Sequence, residues 1–240
     1  MSELSAAVID ELAPTGRLRA SINLGNPVLA QGDPDHPRGV TVDLAAEIAT
    51  RLGVECTFVC FDAARKSFEE LTDGSADIGF LAIEPARARQ VSFTAPYAVI
   101  EGIFVVTDAS PVRTVDDADR PGVRIGVKEG SAYDLFLTRT LQHATIVRGA
   151  EGVDVFAAGG LEVGAGIRQP VTAFAEQHSD MRVVEPAFMQ IEQAVAMPRD
   201  RSVVAIDFVR SIVEELKASG FVADALRRSG QTGAQVAPPA

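Results

Sequence analysis

The opening third of the chain sets the fold class through its alternation of two periods. Residues 17–24 read as a strand. Val40–Leu52 places Val42, Ala45, Ala46, Ile48, Ala49 and Leu52 on one helical face, and residues 54–61 alternate and are β-branched enough to read as the next strand. Strand, crossover helix and strand make a βαβ unit, whose strands lie parallel with the helix packed on the sheet. Residues 67–72 then read as a short helix ending toward Gly74, and 76–81 as another buried strand. The chain is thereby committed to an open α/β sheet with parallel neighbours.

The rhythm restarts after polar, turn-forming stretches at 108–111 and 116–121. Residues 123–127 read as a strand, 131–141 as a helix, 144–147 as a strand, 153–158 as a short helix, Arg168–Gln177 as a helix and 181–184 as a strand. Residues 192–197 form an apolar strand that crosses back. The long helix Val203–Ala218, with Ala205, Val209, Ile212, Val213 and Leu216 in register and Gly220 as a stop, closes the first lobe. The expected organisation is one discontinuous lobe from 1–106 with 198–240 and a second from 107–197. The crossovers are expected near 105–108 and 194–198, with a ligand cleft between the lobes at the carboxyl ends of the strands. The tail from Gln231 is small, polar and proline-ended, and is expected on the surface or disordered.

Charge and composition narrow the partners. Among 240 residues, 33 acidic side chains outweigh 22 basic ones, and the net charge of −11 would repel a phosphate backbone. Nucleic acid is therefore not an expected partner. No apolar run approaches the roughly 18 residues needed to span a bilayer, so a membrane-embedded chain is not expected either. A monomer is expected. The start carries Glu3, Asp10 and Glu11 and no basic n-region, while Leu4, Val8 and Leu12 recur at helical spacing. That reads as cytoplasmic as the sequence stands, and as periplasmic if the chain is a trimmed mature form.

Cys56 and Cys60 fall four apart on one expected strand, about 13 Å of extended chain, beyond the roughly 7 Å limit for bridged Cα atoms. They read as buried thiols. Neither they nor the scattered His36, His143 and His178 have metal-ligand or triad spacing, and no motif asks for a cofactor.

Several polar residues fall at the expected strand ends. Asn26 follows the first strand in Leu24-Gly25-Asn26-Pro27, as a ligand contact or as a turn former. Phe61, Asp62, Lys66 and Tyr97 complete the first lobe's candidates, with Phe61 more readily read as core and Tyr97 as structural. Arg87 lies in the turn-rich Glu84-Pro85-Ala86-Arg87. From spacing alone it is either a surface arginine in a turn shared with Arg89 or a planar fork for a carboxylate. In the second lobe Lys128-Glu129-Gly130-Ser131-Ala132-Tyr133 opens a helix. Ser131 is an N-cap with Asp134 three residues on, and the helix start offers N–H groups and a positive dipole end to an anion. Arg148, Gln169, Gln190 and Gln193 supply further guanidinium and amide donors.

Taken together, Gly39-x-x-x-Asp43-Leu44, Glu84-Pro85-Ala86-Arg87 followed by Phe93-Thr94-Ala95-Pro96-Tyr97, and Gly126-x-x-x-Gly130-Ser131 resemble the bacterial solute-binding proteins of family 3 from about Gly16 to Gly220. The resemblance implies a periplasmic-binding-protein-like type II α/β fold of two lobes joined by two crossover strands, hinge closure on an amino-acid-like carboxylate, and an ABC transporter permease as partner. It gives Arg87 the ligand carboxylate. Two departures stand out. The aspartate that commonly pairs the ligand ammonium is absent, with Ile167 near its place, and Glu84 stands where a threonine often bonds the carboxylate. Glu84 could take over the amine or neutralise Arg87 in an empty cleft. The alternatives are an enzyme resembling cyclohexadienyl dehydratase, with Glu84, Glu101 or Glu129 as a general acid raised by burial, and a cytoplasmic ligand sensor.

Overall fold

The computed structural model of the chain describes residues 6–231 and 233–240, so Glu3 and Leu4 of the expected amphipathic start, and Thr232 of the tail, lie outside the described residues. In chain order the elements are α1 (Ala6–Leu12), β1 (Arg17–Asn23), β2 (Gln31–Gly32), β3 (Pro37–Arg38), α2 (Val40–Leu52), β4 (Glu55–Phe61), α3 (Ala64–Thr72), β5 (Ile78–Ala82), α4 (Pro85–Ala88) and β6 (Val91–Thr107). There follow β7 (Arg124–Lys128), α5 (Ala132–Thr140), β8 (Thr145–Gly149), α6 (Gly152–Gly159), β9 (Val163–Ile167), α7 (Arg168–Gln177), β10 (Met181–Pro198), α8 (Val203–Ala218), α9 (Phe221–Arg228) and β11 (Gln235–Val236). The chain divides into two compact units. Unit 1 comprises the described residues up to Val99 with Glu192–Ala240, and unit 2 comprises Ile100–Ile191, so β6 and β10 each run from one into the other.

In unit 1, β1 pairs in parallel with β4, from Arg17 opposite Glu55 to Asn23 opposite Phe61, and in parallel with β5 on its other side. The βαβ unit read from the sequence is thus present, with α2 laid over β1 and β4. The helix forms because its apolar positions share one face, and Leu44, Ala45, Ile48, Ala49 and Leu52 are all buried, whereas Ala46, expected on that face, is exposed. Its start depends on Gly39, whose φ of 115° suits glycine and where an added Cβ would lie 2.6 Å from the Leu29 carbonyl oxygen. β10 returns antiparallel to β5, Gln193 opposite Ala82. A partly buried ion pair locks the opposite end of this sheet. Asp77, fully buried, accepts from Arg19 Nε at 3.0 Å, its terminal nitrogen at 2.7 Å and its backbone N–H at 2.9 Å.

In unit 2 the strand order is β6–β9–β7–β8, with β7 parallel to β8 and β9, and β9 antiparallel to β6. Phe104, Ile125, Val127, Tyr133, Leu137, Val163 and Ala165 form the core on one face, and Phe188 stacks on Phe104 at 4.2 Å between ring centroids. The other face takes α6 at close range. Gly152 permits this, since a Cβ there would stand 2.2 Å from the Ala165 carbonyl oxygen.

Several expectations are corrected. The segments at 181–184 and 192–197 belong to one 18-residue strand, β10, and the motif Phe93–Tyr97 lies inside a 17-residue strand, β6, that the sequence did not show. Proline demotes a strand reading, and Pro96 and Pro186 masked this continuity. Residues 105–107 end β6 in unit 2, and 194–198 end β10 in unit 1. Of the two expectations for the tail, the surface one holds and the disordered one does not: most of residues 233–240 are exposed, while Gln235 and Val236 pair with Val99 and Ala98 of β6 and Ala237 is buried. Cys56 and Cys60 are half-buried rather than buried, and burial pushes the Cys56 thiol up to about 12. α9 was missed: Gly220 ends α8 and, in the left-handed conformation, also caps the next helix.

Candidate functional site

In unit 1 the candidates cluster at the carboxyl ends of β4, β1 and β5. After β5, Ile83 N–H donates to the Glu192 carbonyl at 2.9 Å, and Glu84 precedes Pro85, the first residue of the four-residue α4. This turn folds Arg87 back so that one terminal nitrogen donates to the Ala82 carbonyl at 3.3 Å. Arg87 is 3% exposed and Glu84 2%, which overturns the surface reading of Arg87. A guanidinium withdrawn from water this far is costly unless paired. Burial lowers its pKa to about 10 and the Glu84 charge opposes the shift, so it stays protonated at neutral pH. Gln193, directly opposite Ala82 on β10, is also buried.

The other unit 1 candidates serve local structure. The Asn26 side chain accepts from Val28 N–H and its carbonyl accepts from Leu29 and Ala30, so it builds the turn after β1. Phe61 is half-buried at the end of β4, and its carbonyl accepts from Leu24 N–H at 2.7 Å. Lys66, 46% exposed, pairs with Asp62 one helical turn back at 2.8 Å, a surface pair worth at most about 1 kcal/mol. Tyr97 is fully buried edge-on to Phe80, with ring centroids 6.0 Å apart.

In unit 2 the carboxyl ends of β7, β8 and β9 share one edge of the sheet. Ser131 caps α5, its hydroxyl accepting from Asp134 N–H at 3.1 Å, and Ala132 beside it is buried. The Asp134 carboxylate reaches back one residue beyond the usual capping-box partner, to Gly130 N–H at 2.9 Å. It also accepts from Thr138 at 3.1 Å and from Arg148 Nε at 3.0 Å. Arg148 is thus engaged by Asp134 and by the Thr138 hydroxyl at 2.7 Å, bracing the helix start.

A second charged group stands at the end of β9. Arg168 is held between Glu101 and Glu185, with one terminal nitrogen 2.9 Å from Glu185 Oε2, and Gln190 donates to Glu101 at 2.8 Å. The Gln190 hydrogen bond and then Arg168 hold the Glu101 carboxyl below its ordinary range, and Arg168 does the same for Glu185. An ionised Glu101 has no proton to give, the reverse of what a general acid needs. Glu129 is exposed. Beside Arg168, both amide atoms of Gln169 are closed off from solvent and make no hydrogen bond to the described residues. Glu185 was missed in the sequence because its partners lie on other elements.

Residues 21–230 match the bacterial extracellular solute-binding proteins, family 3. The chain belongs to this family. It is 32% identical over 101 residues to ABC transporter arginine-binding protein 1 of Escherichia coli, a match covering 41% of this chain and 40% of that relative's length. Among solved structures, a mutant of ArgBP from T. maritima superposes with a TM-score of 0.75 at 24% identity, over 93% of this chain and 99% of that one. An ancestral amino acid-binding protein, described as a precursor of cyclohexadienyl dehydratase, gives 0.74 at 22% identity over 92% and 98%. The fold is accordingly the periplasmic-binding-protein-like type II α/β fold.

Proposed function

We propose that this family member binds a small, amino-acid-like carboxylate, drawing on residues of both units and closing on it by hinge motion. The observation that carries the reading is Arg87. It is a protonated guanidinium at the carboxyl edge of unit 1, 3% exposed and facing the buried Glu84 charge. A ligand carboxylate meets such a fork bidentately and at low local dielectric, where charge-assisted bonds are strongest. Family membership and the arginine-binding relative support an amino-acid-like solute. They also support an ABC transporter permease as partner.

Unit 2 supplies the complementary donors. Ser131 and the braced start of α5 offer N–H groups to an anion. The unsatisfied Gln169 amide, whose burial costs about 1–3 kcal/mol while unpaired, is suited to a polar group of the solute. Arg168 is already neutralised by two carboxylates, so an ammonium on the ligand meets an acidic rather than a basic surround there.

Isothermal titration with L-arginine and other L-amino acids tests the reading on the parent protein, Arg87→Ala and Arg87→Lys. Binding should vanish in the alanine variant and weaken severely in the lysine variant, which keeps the charge and loses the planar fork. Circular dichroism reports whether each variant is folded. Unchanged affinity in a folded Arg87→Ala would remove Arg87 from the site.

A further inference from the structure

The C-terminal segment is held by contacts that solute binding leaves unused. β11 lies antiparallel to β6, Gln235 opposite Val99 and Val236 opposite Ala98, and Ala237 N–H donates to the Tyr97 carbonyl at 3.1 Å. Ala237 is 3% exposed. Two side chains of α8 hold the residues beyond. Lys217 Nζ donates to the Pro238 carbonyl at 2.7 Å and to Glu214 at 2.6 Å, and the other Glu214 oxygen accepts from Ala240 N–H at 3.2 Å. The Lys217 side chain is only 4% exposed, so its ammonium has exchanged water for these partners, and losing one would leave a buried charge short of acceptors.

What the tail holds is the last part of unit 1 on β6. Between Val99, paired to β11, and Gly102, the first residue of β6 paired to β9, lie Ile100 and Glu101. The return strand is gripped at the matching place, where Ile83 N–H bonds the carbonyl of Glu192, the first residue of unit 1 on β10. There the grip comes from the residue that follows the core strand β5. On β6 it comes from the two-residue β11 on one side, with the return strand β10 itself paired on the other.

We propose that residues 235–240 form a strap that fixes the unit 1 end of the crossover strand β6. With the strap in place, the backbone of β6 is free to change its angles only beyond Val99. Its release lets the change begin at Tyr97. A partner or protease that takes the tail would thereby lengthen the pivot.

Amide hydrogen exchange read by mass spectrometry, on the full chain with no ligand added, tests this whether or not the solute reading holds. Lys217→Met keeps the apolar stem and removes the ammonium, and Ala237→Pro removes the N–H that bonds Tyr97. In both, the amides of the tail and of residues 98–100 should lose protection together, exchanging roughly tenfold faster or more, while β1 and β4 keep theirs. Three results overturn the proposal. The tail exchanges faster while residues 98–100 do not; both variants leave the tail as protected as in the parent; or protection falls equally in β1 and β4.

Discussion

Replacing Asp134 by alanine removes the group that organises the start of α5. The carboxylate is 4% exposed and accepts from Gly130 N–H at 2.9 Å, Thr138 at 3.1 Å and Arg148 at 3.0 Å. A hydrogen bond to a charged group contributes about 1.5–3 kcal/mol, and such shared partners do not add in full. The Arg148 share is discounted because that side chain is 41% exposed and can return to water. The sum is roughly 2–4 kcal/mol. At about 2–4 °C per kcal/mol for a chain of this size, the melting temperature should fall by about 5–15 °C. Urea and thermal unfolding followed by circular dichroism give the number directly. Arg148→Ala should cost less on its own, and the double mutant should show a coupling energy of about 1 kcal/mol or more. A melting temperature within about 2 °C of the parent for Asp134→Ala would refute the view that this carboxylate builds the turn.

Two further outcomes follow from the packing and the charges. Gly152→Ala puts a Cβ 2.2 Å from a backbone oxygen, so α6 must move off β7 and β9, and denaturant unfolding should show a loss of about 2 kcal/mol or more; parent-like stability would show that the helix is not held by this close approach. The Glu162 carboxyl, hydrogen-bonded by Arg124, sits at about 2 against an ordinary 4.5. Its folded value is depressed, so its contribution is complete above about 4.5 and is lost as the pH falls toward about 2. Stability measured across that window should fall less steeply in Glu162→Gln than in the parent, and identical slopes would contradict the assignment.

Legibility in the sequence followed the range of the interactions. α2 and α8 were readable because their apolar faces repeat at helical spacing, and the residues marked from the sequence are the buried ones except Ala46 of α2, which is exposed while Leu44 takes a buried place. β1 and β4 were readable because a crossover helix between two strands admits one arrangement. α4 was too short for any period to show, and β2, β3 and β11 are two-residue pairings with no pattern of their own. The candidate site divides the same way. The cap at Ser131 is local and its hydroxyl bond to Asp134 N–H lay open in the sequence. The commitment of Arg148 to Asp134, of Arg168 to Glu101 and Glu185, and of Lys66 to Asp62 depended on which acid each cation would reach, and charge spacing leaves that choice open. The burial of Arg87 beside Glu84 was likewise out of reach, since two charged residues in a proline turn ordinarily signal a surface.

The most direct test of the account is a thermal-shift measurement on the parent protein and on Arg87→Ala, with a panel of L-amino acids and small dicarboxylates. A ligand at about 100 times its dissociation constant adds about 2.7 kcal/mol, which for a chain of this length raises the melting temperature by about 5–10 °C. The account predicts such a rise for at least one carboxylate, absent in the variant. A panel that shifts neither protein, with no small molecule released from the purified parent on denaturation, would contradict it.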